Sequence, residues 1–148
     1  MKIRLATMAD AKGLSQLCQQ HAAYERIPFE AAGHAERLGL LFGNAQLTWW
    51  AWVLESEGEL LGYATMTIDI ATLSATPFAH LDCLFLQSQV RGQGWGKSFV
   101  DIVSQQAASL GCTELQWQTP AWNTSAIRFY EKLGASCQPK ARFSLMVT

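Results

Sequence analysis

The residues with the most chemical content lie in one stretch, Leu81–Lys97, which reads LDCLFLQSQVRGQGWGK. An apolar segment runs into a loop with glycines at 92, 94 and 96, and the loop opens a helix. Such a junction binds anions. The first N–H groups of a helix have no internal acceptors, and the macrodipole is positive there. Glycine lets the backbone approach phosphate oxygens closely, and Arg91 and Lys97 can add charge. Three phosphate-binding patterns compete for this stretch. The Walker A pattern fails because Arg91 stands where its first glycine belongs, although Gly96-Lys97-Ser98 matches its end. The dinucleotide pattern G-x-G-x-x-G fails at Lys97 or at Phe99, depending on the starting glycine. The pattern R/Q-x-x-G-x-G/A fits throughout as Arg91-Gly92-Gln93-Gly94-Trp95-Gly96. On this stretch alone, a purely structural strand-to-helix turn stays open.

The elements that must position this loop follow from periodicity and punctuation. Lys2–Ala6 alternates and reads as a first strand. Thr7-Met8-Ala9-Asp10 has capping-box spacing. It starts a helix with Leu14, Leu17, Cys18 and His21 at helical spacing, Tyr24 and Glu25 near its end and Pro28 as its stop. His34–Phe42 is a second helix. Leu47–Glu55 and Leu60–Ile70 form an antiparallel hairpin across Glu57-Gly58. Phe78–Leu86 is the next strand, with Asp82, Leu84 and Leu86 expected on one face and Leu81, Cys83 and Phe85 on the other. The helix after Gly96 runs to about Leu110, with Gly111 as its cap. Thr113–Gln118 is a strand, Asn123 caps a helix that Gly134 ends, and Ala141–Val147 is a last strand. The expected order is β-α-α-β-β-β-α-β-α-β, an α/β (α+β) three-layer fold in which residues 1–148 form one domain.

Composition excludes several functions. The 148 residues are 49% hydrophobic and 16% charged, so there is apolar side chain for a core and no disorder signature. Net charge is −1, which argues against bulk binding to nucleic acid or anionic lipid. The longest apolar run, Trp49–Leu54, is too short for a membrane span. Charges at Arg4 and Asp10 leave no room for a signal-peptide core, so the expected location is cytoplasmic. The cysteines at 18, 83, 112 and 137 form no C-x-x-C pair and the three histidines are scattered, so no metal site is expected. Residues 1–74 carry five basic and eight acidic groups, whereas residues 75–148 carry six basic and four acidic. That asymmetry fits a C-terminal half holding an anion and an N-terminal half receiving a cation.

After strand 113–118 comes Trp122-Asn123-Thr124-Ser125-Ala126-Ile127-Arg128-Phe129-Tyr130-Glu131-Lys132-Leu133-Gly134-Ala135. With the Arg91–Gly96 pattern, the sequence resembles the GNAT family, the Gcn5-related N-acetyltransferases. The resemblance is strongest over residues 78–135. Within the family, His21-Ala22-Ala23-Tyr24-Glu25, Leu81-Asp82 and Trp122-Asn123 look most like the diamine and polyamine (spermidine/spermine) branch. The resemblance implies a mixed, mostly antiparallel sheet of six to seven strands. It implies acetyl-CoA as co-substrate in a splay between strands 78–86 and 113–118. The backbone of Leu84, Phe85 and Leu86 would pair with the pantetheine arm, and one N–H would polarise the thioester carbonyl. The N–H groups of Arg91, Gly92, Gln93, Gly94, Trp95 and Gly96, with Lys97, would hold the pyrophosphate. Asn123 would reach the pantetheine arm. Tyr130 falls at the family's general-acid tyrosine. Asp82 matches an acidic base position, one methylene shorter than the usual Glu, which favours a proton relay through water. Tyr24 and Glu25 would line the acceptor pocket, and a homodimer is implied, using the edges of the Trp-rich and final strands.

The implied reaction is direct transfer to a primary amine, which must lose a proton before attack. A small cationic acceptor such as a polyamine fits the acidic N-terminal half. A protein amine, an amino acid, an aminoglycoside or a non-catalytic acyl-CoA-binding role stay open. An acetyl-cysteine route through Cys83 is disfavoured because its side chain is expected to point away from that of Asp82.

Overall fold

The computed structural model describes residues 1–148, which divide into two compact units, Met1–Gln118 and Thr119–Thr148. In the first, β1 (Lys2–Leu5) leads through a 3-10 turn at Met8–Asp10 into α1 (Ala11–Tyr24) and α2 (His34–Phe42). Then come β2 (Trp49–Ser56), β3 (Glu59–Ala71), β4 (Thr76–Leu86), a 3-10 turn at Ser88–Val90, α3 (Trp95–Ser109) and β5 (Leu115–Gln116). The capping box forms as its spacing predicts, with the Thr7 N–H donating to Asp10 Oδ2 at 2.7 Å.

The strands form one sheet in the order β1-β2-β3-β4-β5, antiparallel except for the β4–β5 pair. Helices cover both faces. Phe99, Val103 and Ala107 of α3 meet Leu54, Ala64, Met66 and Leu81 on one face. Leu14 and Leu17 of α1 and Leu38 of α2 meet Val53, Tyr63 and Phe85 on the other. The three-layer expectation therefore holds, with fewer strands than the six to seven expected. Residues 141–147 alternate as a strand should but form none, and Phe143, Leu145, Met146 and Val147 are exposed. Alternation supplies propensity, whereas a strand also needs a hydrogen-bonded neighbour. The Trp-rich β2 is no sheet edge, because β1 and β3 pair with it on either side.

Two further differences have local causes. Helix α1 does not wait for Pro28. It ends at Tyr24, and the N–H groups of Arg26 and Ile27 donate back to the carbonyls of Ala23 and Ala22. This is a Schellman closure with Arg26 at φ 61 in place of the usual glycine. Strand β4 carries a bulge: Met66 pairs with Leu81 and Thr65 with Cys83, leaving Asp82 as the extra residue. The bulge shifts the side-chain phase. Leu81 therefore shares a face with Leu84 and Leu86, while Cys83 and Phe85 face α1. The expected grouping of Leu81 with Cys83 and Phe85 is corrected on that ground.

The second unit contains α4 (Thr124–Lys132). Asn123 caps it, its Oδ1 accepting from the Ala126 N–H at 3.2 Å. Gly134 follows at φ 93, a left-handed turn that suits glycine.

Candidate active site

Strand β4 is paired with β3 along its length, but with β5 only at Ala79–Leu115 and His80–Gln116. Beyond His80 one edge of β4 has no strand partner. The Gln87 N–H donates to the Leu61 carbonyl, toward β3. Alternation along an antiparallel strand then turns the main-chain groups of Leu84 and Leu86 to the open edge, and those of Phe85 to β3. The bulge at Asp82 sets this phase. Of the three residues expected to pair with an extended ligand, Leu84 thus offers both main-chain groups and Leu86 its N–H, the Leu86 carbonyl being taken by Arg91, and Phe85 offers its ring on the opposite face. Gly62 is required behind them. A Cβ there would stand 2.8 Å from the Phe85 carbonyl oxygen and 2.6 Å from Leu86 Cδ2.

The glycine loop has the geometry of an anion site. Gly92 and Gly94 take φ 75 and φ 90, left-handed values that a Cβ strains. Gly94 is the N-cap of α3, and the first helical bond runs from the Ser98 N–H to the Gly94 carbonyl at 3.1 Å. The N–H groups of Trp95, Gly96 and Lys97 therefore precede any intrahelical acceptor. Trp95 packs with the α3-side core, and Gly96 is buried. The two charges expected to support this loop are engaged elsewhere. Lys97 Nζ lies 2.7 Å from Asp101, one turn along α3. Arg91 donates through Nε to the Leu86 carbonyl at 2.8 Å, and its guanidinium lies 4.5 Å from the centre of the Tyr24 ring. Gln93 donates to the Gln89 carbonyl.

Arg91 and Tyr24 belong to an open depression of about 490 Å³, lined also by Gln20, Phe85, Gln87, Ser88 and Gln89. The structure thus brings Tyr24, Arg91 and Phe85 together, as side chains from α1, the loop and β4. Glu25 follows Tyr24 and bonds to His21, with 2.7 Å between Glu25 Oε2 and His21 Nε2. His21 in turn stacks on Phe85, ring centres 5.1 Å apart, and its Nδ1 lies 2.6 Å from the Tyr63 hydroxyl. The sequence alone gives Tyr63 no role, and places His21 on a helical stripe and in the segment that resembles the diamine and polyamine branch, with no chemistry of its own. Nothing in their spacing points to the pairing, since they are 42 residues apart.

Asp82 is exposed on the bulge, and Cys83 Sγ lies 3.7 Å from its Oδ2. The expectation that the two side chains diverge is corrected, since a bulge suspends strict alternation. The thiol is nevertheless no ready nucleophile. Burial, and then the Asp82 charge, push its pKa up to about 12, so it stays protonated. In the second unit, Asn123 is buried, with its side-chain oxygen committed to the cap and to Ser125. Tyr130 is partly buried on α4, its ring 5.2 Å from that of Phe129. No group of three or more His, Cys, Asp or Glu side chains is placed to hold a metal ion. No helix is long and apolar enough to cross a membrane.

An open strand edge beside an unsatisfied helix start suits a ligand that is extended at one end and anionic at the other. The chain is similar to known proteins over most of its length. The sequence profile of the acetyltransferase (GNAT) family matches residues 14–135. Over 141 residues the chain is 26% identical to a thialysine N-epsilon-acetyltransferase of Bos taurus, covering 90% of this chain and 82% of that one. A shorter match, 36% identical over 56 residues, aligns it with an L-ornithine N5-acetyltransferase of Arabidopsis thaliana, covering 38% of this chain and 25% of that one. Among solved structures, an aminoglycoside acetyltransferase from an uncultured soil metagenomic sample superposes with a TM-score of 0.83 at 20% identity, covering 99% and 96% of the two chains. At that identity the likeness bears on the fold alone.

Proposed function

The chain belongs to the acetyltransferase (GNAT) family and is an acetyl-CoA-dependent N-acetyltransferase; from that premise we propose that its acceptor is a small molecule bearing both a primary amine and a carboxylate, of the diamino acid class. One observation carries this reading. The depression is walled by neutral amides, a hydroxyl, two aromatic rings and one cation, Arg91, with no carboxylate among its lining residues. A polyamine, with several ammonium groups, needs several carboxylates to offset desolvation. A diamino acid needs one cation and one anion, which Arg91 and the neighbouring Glu25 supply. The relatives named for thialysine and L-ornithine support the same class. The acidic excess of residues 1–74 favours a polyamine instead, so both belong in the test.

Bound acetyl-CoA supplies an acetyl group activated as a thioester. In the proposed mechanism, the open-edge groups of Leu84 and Leu86 hold the extended arm, and an N–H there stabilises the oxyanion. The N–H groups from Gly92 to Lys97 take the pyrophosphate. Asp82, exposed on its bulge, accepts the amine proton through water. As the carbon–nitrogen bond forms and the carbon–sulfur bond breaks, Tyr130 gives its proton to the thiolate, and the second proton lost by the amine nitrogen passes to solvent, from which Tyr130 is reprotonated. The roles of Tyr130 and Asn123 rest on the residue match to the family. Residues 1–148 act as one catalytic domain, and a homodimer is the proposed assembly.

The test is thiol release from acetyl-CoA with ornithine, lysine, thialysine, their methyl esters, putrescine, spermidine and an aminoglycoside. The expected result is turnover with a free diamino acid that falls on esterification. Tyr130→Phe should lower kcat and leave acetyl-CoA binding unchanged. Preference for spermidine, or indifference to the ester, would reject the diamino acid class.

A further inference from the structure

We propose that His21 and Tyr63 are positioning residues that hold the Glu25 carboxylate in place for the acceptor's ammonium group. The proposal rests on the reading of this site as a small-amine pocket and goes on to say how its anion is fixed.

The hydrogen-bond chain has one direction. An ionised carboxylate only accepts, so His21 Nε2, 2.7 Å from Glu25 Oε2, carries the hydrogen. In the Nε2–H tautomer Nδ1 offers only a lone pair, to which the Tyr63 hydroxyl 2.6 Å away donates. The Tyr63 side chain is 2% exposed, so water cannot compete for that hydroxyl, and burial keeps it protonated. The thiols of Cys18 and Cys83 interact with the same hydroxyl and can donate to its free lone pair. Each donor along the path thus strengthens the next.

The rings are held as firmly as the hydrogens. His21 lies between two aromatic contacts, stacked on Phe85 at 19° and edge-on to Tyr63 at 70°. Glu25 is the C-cap of α1, and the Schellman closure at Arg26 fixes its backbone. With Oε2 bound to His21, Oε1 is left for a ligand. Phe85 and Tyr24 are at once neighbours of this chain and wall of the depression. Arg91 lies over Tyr24 on the same wall, and Glu25 is the next residue after Tyr24 in the chain.

Two measurements on the full chain test this. Long-range proton–nitrogen spectra should show His21, assigned by its loss in His21→Gln, as the Nε2–H tautomer. Tyr63→Phe should shift its Nδ1 resonance. An Nδ1–H tautomer, or ring nitrogens unmoved in Tyr63→Phe, would overturn the proposal. In kinetics with whichever amine the wild type acetylates, His21→Leu should raise the acceptor KM about tenfold, as the loss of a charged hydrogen bond implies. The KM for acetyl-CoA should stay within about twofold, and His21→Gln, which keeps an N–H donor, should recover most of the loss. Parallel rises in both KM values would show a packing role only. Turnover with spermidine in place of a diamino acid would reject the acceptor class and leave the tautomer and the KM split to decide this inference.

Discussion

The turn from Arg91 to Lys97 and the cluster of Glu25, His21, Tyr63 and Phe85 meet on β4, yet they are built from different material. The turn offers main-chain N–H groups from consecutive residues, aimed by two left-handed glycines. The cluster offers side-chain atoms drawn from α1, β3 and β4. A backbone donor survives any change of side chain that leaves φ alone. A side-chain relay fails when one atom is removed. The first region should therefore tolerate loss of its charges and not loss of its glycines, while the second should respond to single-atom edits.

The largest effect is expected where the two regions share a support. In Gly62→Ala, the new Cβ meets the Phe85 carbonyl at 2.8 Å, which cannot rotate away as a side chain could. Overpacking of that kind costs about 1–3 kcal/mol, and thermal melts should fall by roughly 2–4 °C for each kcal/mol. Both KM values should rise together. A rise confined to one substrate would show that β4 does not serve the two regions jointly.

Next comes Gly94→Ala, which forces a Cβ into φ 90 at the N-cap of α3. The strain of about 1–2 kcal/mol should raise the acetyl-CoA KM by about tenfold, with the acceptor KM unmoved. If the acceptor KM moves equally, the turn and the cluster are not separable.

A control lies away from both regions. Arg4 bridges Asp10 and Glu55, and the Arg4 guanidinium holds the Asp10 carboxyl below its ordinary range. A lowered folded pKa means stability that is full above the unfolded value, about 3.9, and lost as pH falls through the folded one. Asp10→Asn should cost about 1 kcal/mol at pH 7, and its melting curve should converge on the wild type's toward pH 2, with kinetics unaffected. The smallest effect is expected for Lys97→Ala. Its Nζ is exposed and paired with Asp101, so the acetyl-CoA KM should change by less than about threefold. A larger loss would show that the side-chain charge of the turn, and not its backbone, does the binding.

The legibility of each region follows from the same contrast. Gly92, Gly94 and Gly96 could be read because glycine at those spacings has a local cause, and the R-x-x-G-x-G pattern with Asn123–Ala135 carried the family resemblance. Both α1 boundaries depended on local bonds. The Thr7 box was readable, whereas the closure at Arg26 was hidden because a non-glycine residue takes the left-handed position. The bulge at Asp82 was hidden for a different reason. Alternation in β4 looks unbroken, and the extra residue appears only when Met66 and Thr65 of the partner strand are laid against it. That single residue decided which way Cys83, Phe85 and the main chain of Leu84 face.

The sequence by itself determined the layered α/β class, the glycine turn and the family, because periodicity, capping and φ preference act over a few neighbouring residues. Tertiary structure decided the strand count, the open edge of β4 and the Glu25–His21–Tyr63 chain. Pairing and burial between residues tens of positions apart leave no fixed spacing in the sequence, and only the folded sheet brings those atoms within hydrogen-bonding distance.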